Sequence, residues 1–131
     1  MTRARMIELS FVALRVVAGA MFMCHGLQKL FGFPIGPTQT VGSQMWIGGV
    51  IELVTGGLIA VGLLTRLASF VAAGMMAVAY FQFHWKLHLD HWQWLPGVND
   101  GELSVLYCFL FLTFSASGAG RLSIDHKLGR A

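Results

Sequence analysis

Four apolar stretches, separated by short polar connections, make up most of this 131-residue chain. Only 11% of its residues are charged and 56% are hydrophobic, whereas an average soluble domain has about 25% charged residues. So few polar residues cannot cover a water-soluble globule, but a bilayer would solvate the excess apolar surface directly. We therefore expect an integral membrane protein whose first partner is the lipid bilayer, with room for one compact domain.

The apolar stretches predict transmembrane helices, because a hydrocarbon core requires about 20 apolar residues per helix. We place the helices at about residues 7–31, 44–64, 67–83 and 103–117. The short turn near 64–66 makes the second and third an antiparallel hairpin. The connection 84–100 is rich in tryptophan, which favours the headgroup region. The predicted fold is an all-α membrane protein, a single domain over 1–131 forming an antiparallel four-transmembrane-helix bundle.

Lysine and arginine predict the orientation of the bundle, because cytoplasmic loops carry an excess of them. With the N terminus inside, the cytoplasmic ends collect Arg3, Arg5, Arg66, Arg121, Lys127 and Arg130, and the outer ends collect Lys29 and Lys86. Both termini are therefore predicted to face the cytoplasm in a multi-pass protein. The formal charge of +3 then reflects topology, and we expect no nucleic-acid partner.

Charges inside the apolar stretches are informative, because an unpaired charge in a bilayer is costly. Arg15 lies roughly 12 Å into the first predicted helix at ~1.5 Å per residue, and Glu52 lies at a comparable depth in the second. We predict an Arg15–Glu52 ion pair near the midplane. Gly48 and Gly56 share the face of Glu52 and would allow close helix approach. Such a pair either fixes helix register or belongs to a binding site.

A polar pocket is predicted at the outer end of the bundle. His25 and Lys29 lie on the same broad face of the first helix as Arg15, and this face is expected to meet the start of the fourth helix. The predicted ligand-binding set is Arg15, His25, Lys29, Glu52 and Glu102.

Structural roles remain open for three members of this pocket. His25 could be a satisfied interhelical histidine, and Lys29 could be a snorkelling anchor. Glu102 could complete a capping box by returning to the backbone amide of Asn99.

Three histidines at helical spacing, His84, His88 and His91, form a second candidate site. Imidazoles stacked on one helical face suit zinc, iron or haem. Polar residues of a short interfacial helix are the commoner explanation, and no HExxH or cysteine-ligand signature accompanies them. A metal or haem is therefore the minor alternative. Cys24 and Cys108 could form a disulfide or a thiol relay, but buried free cysteines are the commoner case.

Several short motifs occur in a fixed order along nearly the whole chain. They are Leu14-Arg15 with Gly19, His25-Gly26-Leu27-Gln28-Lys29, Ile51-Glu52 with Gly56-Gly57, Gly62-Leu63-Leu64-Thr65-Arg66, Asn99-Asp100-Gly101-Glu102-Leu103 with Leu106-Tyr107, and Gly118-Ala119-Gly120-Arg121-Leu122-Ser123-Ile124-Asp125. Together they resemble the DoxX family of small four-helix membrane proteins. The polar positions shared with the family are the five residues of the predicted ligand-binding set, whereas the histidine run lies outside the family pattern.

The resemblance implies a location in the bacterial cytoplasmic membrane and a link to redox systems, since DoxX and DoxD members resemble membrane subunits of such systems, including thiosulfate:quinone oxidoreduction. We therefore expect an auxiliary subunit that binds a quinone-like or other small molecule and works with a membrane or peripheral oxidoreductase. If it is an enzyme, it would be a quinone-linked oxidoreductase subunit. The alternatives are a non-catalytic scaffold or assembly subunit and, as a homo-oligomer, a small transporter.

Overall fold

The computed structural model describes residues 1–130, which are helical with loops and contain no strand in that range. The elements in chain order are α1 (Arg3–Phe31), α2 (Gln44–Val61), α3 (Thr65–Ala79), a π-helical segment (Tyr80–Trp85), a 3-10 turn (Asp90–Trp92), α4 (Glu102–Ser117) and α5 (Ile124–Lys127). The prediction of an all-α membrane fold is confirmed.

Within residues 1–130, three helices are long and apolar enough to cross a bilayer: Arg3–Phe31, Gln44–Val61 and the continuous stretch Thr65–Trp85. The fourth predicted span corresponds to α4, a shorter apolar helix of 16 residues. The number of membrane crossings and the side on which the termini lie therefore remain predictions.

Backbone signals explain where the helices end. α1 starts at a Thr2 cap whose side chain accepts from the amide of Arg5, and it stops at Gly32, which has a φ of 68°. Gly62, with a φ of 73°, ends α2 three residues before the expected boundary near residue 64. Glycine tolerates this left-handed conformation without steric penalty, which makes it a common helix terminator.

α1 and α2 are in direct main-chain contact. A Cβ on Gly19 would lie 2.5 Å from the backbone nitrogen of Ala60, and a Cβ on Gly56 would lie 2.5 Å from the backbone nitrogen of Met23. No side chain could fit in that space, so only glycine permits this approach. The expectation that Gly56 lies in a close helix contact is confirmed.

A second glycine pair repeats this contact one heptad away. A Cβ on Gly26 would lie 2.6 Å from the carbonyl oxygen of Gly49, while Gly19 and Gly56 form the first pair. Seven residues are about two helical turns, so the glycines form one stripe on each helix. Gly48, expected on this stripe, instead lies beside the side chain of Met75 on α3.

Aromatic side chains join α1 to α4 across the bundle core. The Phe22 ring lies 5.5 Å from Tyr107 and 4.8 Å from Phe111, and Phe11 meets Phe114 edge-on at 5.4 Å between ring centroids. α3 contributes small buried side chains to the same core, Ala68, Ala72 and Ala73. The helices thus form a single bundle, whose exposed surface is rich in apolar residues, as suits contact with lipid.

Candidate functional site

A cavity of about 560 Å³ lies between α2 and α3, with α1 and α4 contributing to its walls. Its rim includes exposed apolar side chains of α2 and α3, among them Ile47, Phe70, Val71 and Val78. The side chains able to form hydrogen bonds along its walls are His25, Lys29, Gln44, Glu52, His84, Ser104 and Tyr107. The cavity is therefore an apolar space with a small number of polar groups.

Glu52 is the acid in the wall of this cavity, and 3% of its surface is exposed. Its Oε1 lies 2.6 Å from Nζ of Lys29, whose side chain is 21% exposed. The glycine stripe makes this pair possible, because a Cβ on Gly49 would lie 2.9 Å from Cβ of Lys29. The absence of that Cβ lets the lysine of α1 lie close to α2 and reach the acid.

Two polar atoms of the cavity wall are buried without a partner. Among residues 1–130, no group hydrogen-bonds to Oε2 of Glu52 or to the hydroxyl of Tyr107. Buried polar atoms are almost always hydrogen-bonded, and leaving one unsatisfied costs about 1–3 kcal/mol. A molecule that hydrogen-bonds to these atoms would remove that cost.

The predicted Arg15–Glu52 ion pair is wrong. Arg15 is 2% exposed, and its guanidinium donates to three backbone carbonyls: Ala119, Leu122 at 3.0 Å and Ala60 at 3.5 Å. The glycine stripe sets the register of the two helices and brings Arg15 to Ala60, which leaves Glu52 about two turns away. Depth counted from the predicted helix ends could not show this, and the acceptors come mainly from the segment after α4.

Asp125 lies beside Arg15 at the same end of the bundle and is 5% exposed. Its Oδ1 accepts from the amide of Leu64 and its Oδ2 from the amide of Thr65, both at 2.8 Å. These amides begin α3 and have no partner within the helix. Burial alone would raise the pKa of Asp125, but the two amide hydrogen bonds and the charge of Arg130 lower it overall.

We define a closed cluster that consists of Arg15, Gly62 and Asp125 and of their hydrogen bonds to backbone groups. Asp125 also donates from its amide to the Gly62 carbonyl at 2.8 Å, and a Cβ on Gly62 would lie 2.5 Å from Nη1 of Arg15. Sequence reasoning gave Asp125 no role. A usable signal was the position of this acid, a few residues after the glycines that follow α4. An acid there can accept hydrogen bonds from the amides at the start of another helix.

The predicted capping box at Asn99 and Glu102 is wrong. α4 begins at Glu102 itself, with Gly101 as its cap, so Glu102 is exposed and too early in the helix for that motif. Asn99 instead fixes the preceding loop, because its Oδ1 accepts from the Gly101 amide at 2.9 Å and its Nδ2 donates to Gln93 at 2.8 Å and Tyr80 at 3.2 Å. Glu102 and Arg15 both lie outside the cavity lining.

The three histidines do not share a helical face. His84 lies in the π-helical segment and lines the cavity, with Nδ1 3.2 Å from the carbonyl oxygen of Asn99. The helix ends at Lys86, which has a φ of 53°, so His88 and His91 fall in the exposed connection. Within residues 1–130 no group of three or more His, Cys, Asp or Glu side chains is placed to hold a metal ion.

The two cysteines are both free thiols. Cys24 is exposed on α1 and Cys108 is half-buried on α4. The expectation of two buried cysteines is therefore wrong for Cys24, which faces outward from the bundle.

One family model and two bacterial proteins are similar to this chain. A family model described as DoxX matches residues 10–85, which include Arg15, His25, Lys29 and Glu52. An uncharacterized protein of Haemophilus influenzae is 43% identical over 120 residues, covering 87% of each chain. An uncharacterized membrane protein of Mycobacterium tuberculosis is 28% identical over 137 residues, covering 92% of this chain and 82% of its own. No solved structure matches the chain at a significant level. This membrane protein belongs to the DoxX family.

Proposed function

We propose that this protein binds a small amphipathic molecule with a quinone-type head group in the cavity, and that it serves a membrane redox system as an auxiliary subunit. The observation that carries the proposal is the half-paired acid: Glu52 is buried in an apolar cavity with one oxygen on Lys29 and the other without a partner. An acid that served only to fix helix packing would be expected to have both oxygens paired.

The size and chemistry of the cavity suit such a ligand. Small-molecule sites typically occupy about 300–1,000 Å³ and combine apolar walls with a few polar groups, and this cavity of about 560 Å³ has that composition. Gly74 on the rim has open space where a Cβ would be, with nothing within 4 Å. Together with the exposed apolar rim, this supports entry of the ligand sideways from the lipid.

Three residues would divide the work of binding. Lys29 would stabilise negative charge on the head group, and His25 and Glu52 would accept or return protons. Electron transfer would require a membrane or peripheral oxidoreductase as partner. Arg15 and Glu102 are left out of the proposed contacts because they lie outside the cavity lining.

With this function we propose four crossings of the bacterial cytoplasmic membrane, with both termini in the cytoplasm. The start of α1 and the segment after α4 lie at one end of the bundle, where Arg121 Nε is 4.0 Å from Glu8 Oε1 and Arg66 donates to carbonyls at the end of α4. Basic residues concentrated at that end support the orientation. The cavity then lies in the outer half of the bilayer.

The test is equilibrium binding of a decyl-substituted benzoquinone to the full chain in lipid nanodiscs, followed by quenching of tryptophan emission. We expect saturable quenching, and we expect Gly74→Leu to weaken binding by roughly tenfold or more, because the new side chain enters the cavity opening. Ala13→Leu, at an exposed position of α1 outside the cavity, is the matched control and should bind normally. No saturable quenching, or equal binding by the Gly74 variant, would contradict the proposal.

The non-catalytic scaffold is the second candidate. The closed cluster favours it, because Arg15 and Asp125 bind only the chain's own backbone. A folded protein that binds no quinone in the same experiment would support this function.

A further inference from the structure

Building on the proposed function, we infer that the cavity selects a head group carrying a hydrogen-bond donor, which means a hydroquinone or phenol rather than the corresponding quinone. The inference concerns which form of the ligand is held, and it depends on the two unpartnered atoms of the wall.

The first step is the pairing of Glu52 with Lys29, which the inference takes as an ion pair of carboxylate and ammonium. Oε1 of Glu52 lies 2.6 Å from Nζ of Lys29, as short as charge-assisted hydrogen bonds in general. An ionised carboxylate can only accept hydrogen bonds. Oε2 therefore requires a donor, and none is supplied by residues 1–130.

The second step compares the two oxidation states of the head group. A quinone carries only carbonyl oxygens, so it cannot donate to Oε2 and would place a second acceptor beside the carboxylate. A hydroquinone or phenol carries a hydroxyl, which donates one hydrogen bond and accepts others. Only the hydroxyl form satisfies the acid.

The third step concerns the remaining donors. Lys29 has further N–H groups and Tyr107 has an unpartnered hydroxyl, and either can donate to a ligand oxygen. A quinone would use these donors and still leave Oε2 unsatisfied. One ligand hydroxyl can donate to Glu52 and accept from Tyr107 or Lys29, so it meets all the requirements of this wall.

Selective binding of the reduced form has a measurable consequence for a redox ligand. For a two-electron couple, each tenfold preference for the hydroquinone raises the midpoint potential of the bound couple by about 30 mV. The cavity would therefore favour retention of the reduced molecule in contact with its partner enzyme.

The test uses a pair of ligands that differ by one O-methyl group, which removes the donor, and that do not interconvert between quinone and hydroquinone: 4-nonylphenol and its methyl ether, 4-nonylanisole. Isothermal titration calorimetry of the full chain in nanodiscs, with empty nanodiscs subtracted, gives both dissociation constants. We expect the phenol to bind roughly tenfold or more tightly, as a hydrogen bond to a charged acceptor supplies. Decyl-benzohydroquinone and decyl-benzoquinone, held anaerobically, should show the same order.

Three variants test which residue causes the preference for the phenol over its methyl ether. Glu52→Gln offers an amide that both donates and accepts, so the preference for the phenol should fall to about one. Tyr107→Phe, which keeps the carboxylate, should weaken the phenol about threefold while the preference remains. Glu8→Gln makes the same chemical change at the opposite end of α1 and should leave every constant unchanged.

The outcomes separate this inference from the proposed function. Equal affinity for phenol and ether, tighter binding of the quinone, or an unchanged preference in Glu52→Gln would overturn the inference and leave quinone binding standing. Failure of all four compounds to bind would overturn both. If Glu52→Gln does not fold, the wild-type ratio and the Tyr107→Phe ratio still decide the question.

Discussion

The closed cluster and the polar wall of the cavity are both buried, but their polar atoms differ in their hydrogen-bond partners. Both Nη atoms of Arg15 and both oxygens of Asp125 bind backbone groups of the same chain, although Nε of Arg15 is buried without a partner among residues 1–130. At Glu52, one oxygen binds Lys29 and the other lies in the wall of a cavity without a partner. The hydroxyl of Tyr107 is equally unpartnered.

The difference separates charges that are bound to the chain's own backbone from an acid that keeps an oxygen without a partner among residues 1–130. Polar groups bound to backbone cannot exchange their partners without unfolding, so the closed cluster holds the C-terminal segment against α1 and α3. Side chains that share one ion pair and retain an unused acceptor can bind something else at little cost to the fold. A charge inside a bilayer is often taken as a functional marker, but only one of these two clusters, the Lys29–Glu52 pair, lines a cavity.

The largest expected effect is the loss of the closed cluster. Arg15→Met leaves buried carbonyls without donors and should lower the free energy of unfolding by about 3–5 kcal/mol. Combining it with Glu52→Leu should give additive losses within about 0.5 kcal/mol, because the two residues share no partner. Unfolding in mixed SDS micelles, followed by helical circular dichroism, measures both. If the double variant recovered stability, the result would support an Arg15–Glu52 ion pair and contradict the structure.

Lys29 and Glu52, the ion pair in the cavity wall, should instead be coupled in the free energy of unfolding. Lys29→Met leaves the buried carboxylate of Glu52 unpaired and should cost about 2 kcal/mol. Adding Glu52→Leu should recover at least about 1 kcal/mol, because the unpaired charge is removed. The same unfolding measurement closes this double-mutant cycle, and strict additivity would show that the ion pair does not form.

Asp125 predicts a pH dependence with a defined sign. Because its pKa is lowered in the folded protein, its contribution is fully present above the ordinary aspartate value of about 3.9 and is lost as the pH falls through the lower folded value. At neutral pH, Asp125→Asn should cost about 1 kcal/mol, as for other helix caps. The difference between wild type and variant should shrink on acidification below about pH 4. A difference that stays constant to pH 2.5 would mean that the carboxylate does not cap α3.

The smallest effect is expected at Glu102. Because its side chain is exposed and caps nothing, Glu102→Gln should change stability by less than about 0.5 kcal/mol. Asn99→Ala, which removes the three side-chain bonds of the loop, should cost about 1 kcal/mol or more. Thermal unfolding of the two variants in the same detergent gives the comparison, and a larger loss at Glu102 would support the capping box.

The sequence predicted the helices well because hydrophobic runs are local signals. It predicted the wrong ion pair because register between helices is not local. Depth was counted from helix ends, whereas the contacts of Gly19 with Gly56 and of Gly26 with Gly49 determine which residues meet. The equal spacing of these glycines was visible in the sequence and would have paired the helices correctly.

Two other features cannot be predicted from apolar runs or from residue spacing. The π-helical segment Tyr80–Trp85 arises within a continuous apolar run, so composition gives no sign that the hydrogen-bond pattern changes there. The return of residues 119–125 to the bundle depends on Arg15 and Asp125 finding backbone partners far away in sequence. His25 and Lys29 were placed beside the cavity as predicted, since both lie on one helical face.

The backbone contact between α1 and α2 also determines which part of the bundle can move. Where main chains touch through glycine, there is no layer of side chains to rearrange, so these two helices must travel together as one rigid unit. Any widening of the cavity to admit a lipid-borne molecule would then come from displacement of α3, together with α4, which packs against it, along the seam with α2.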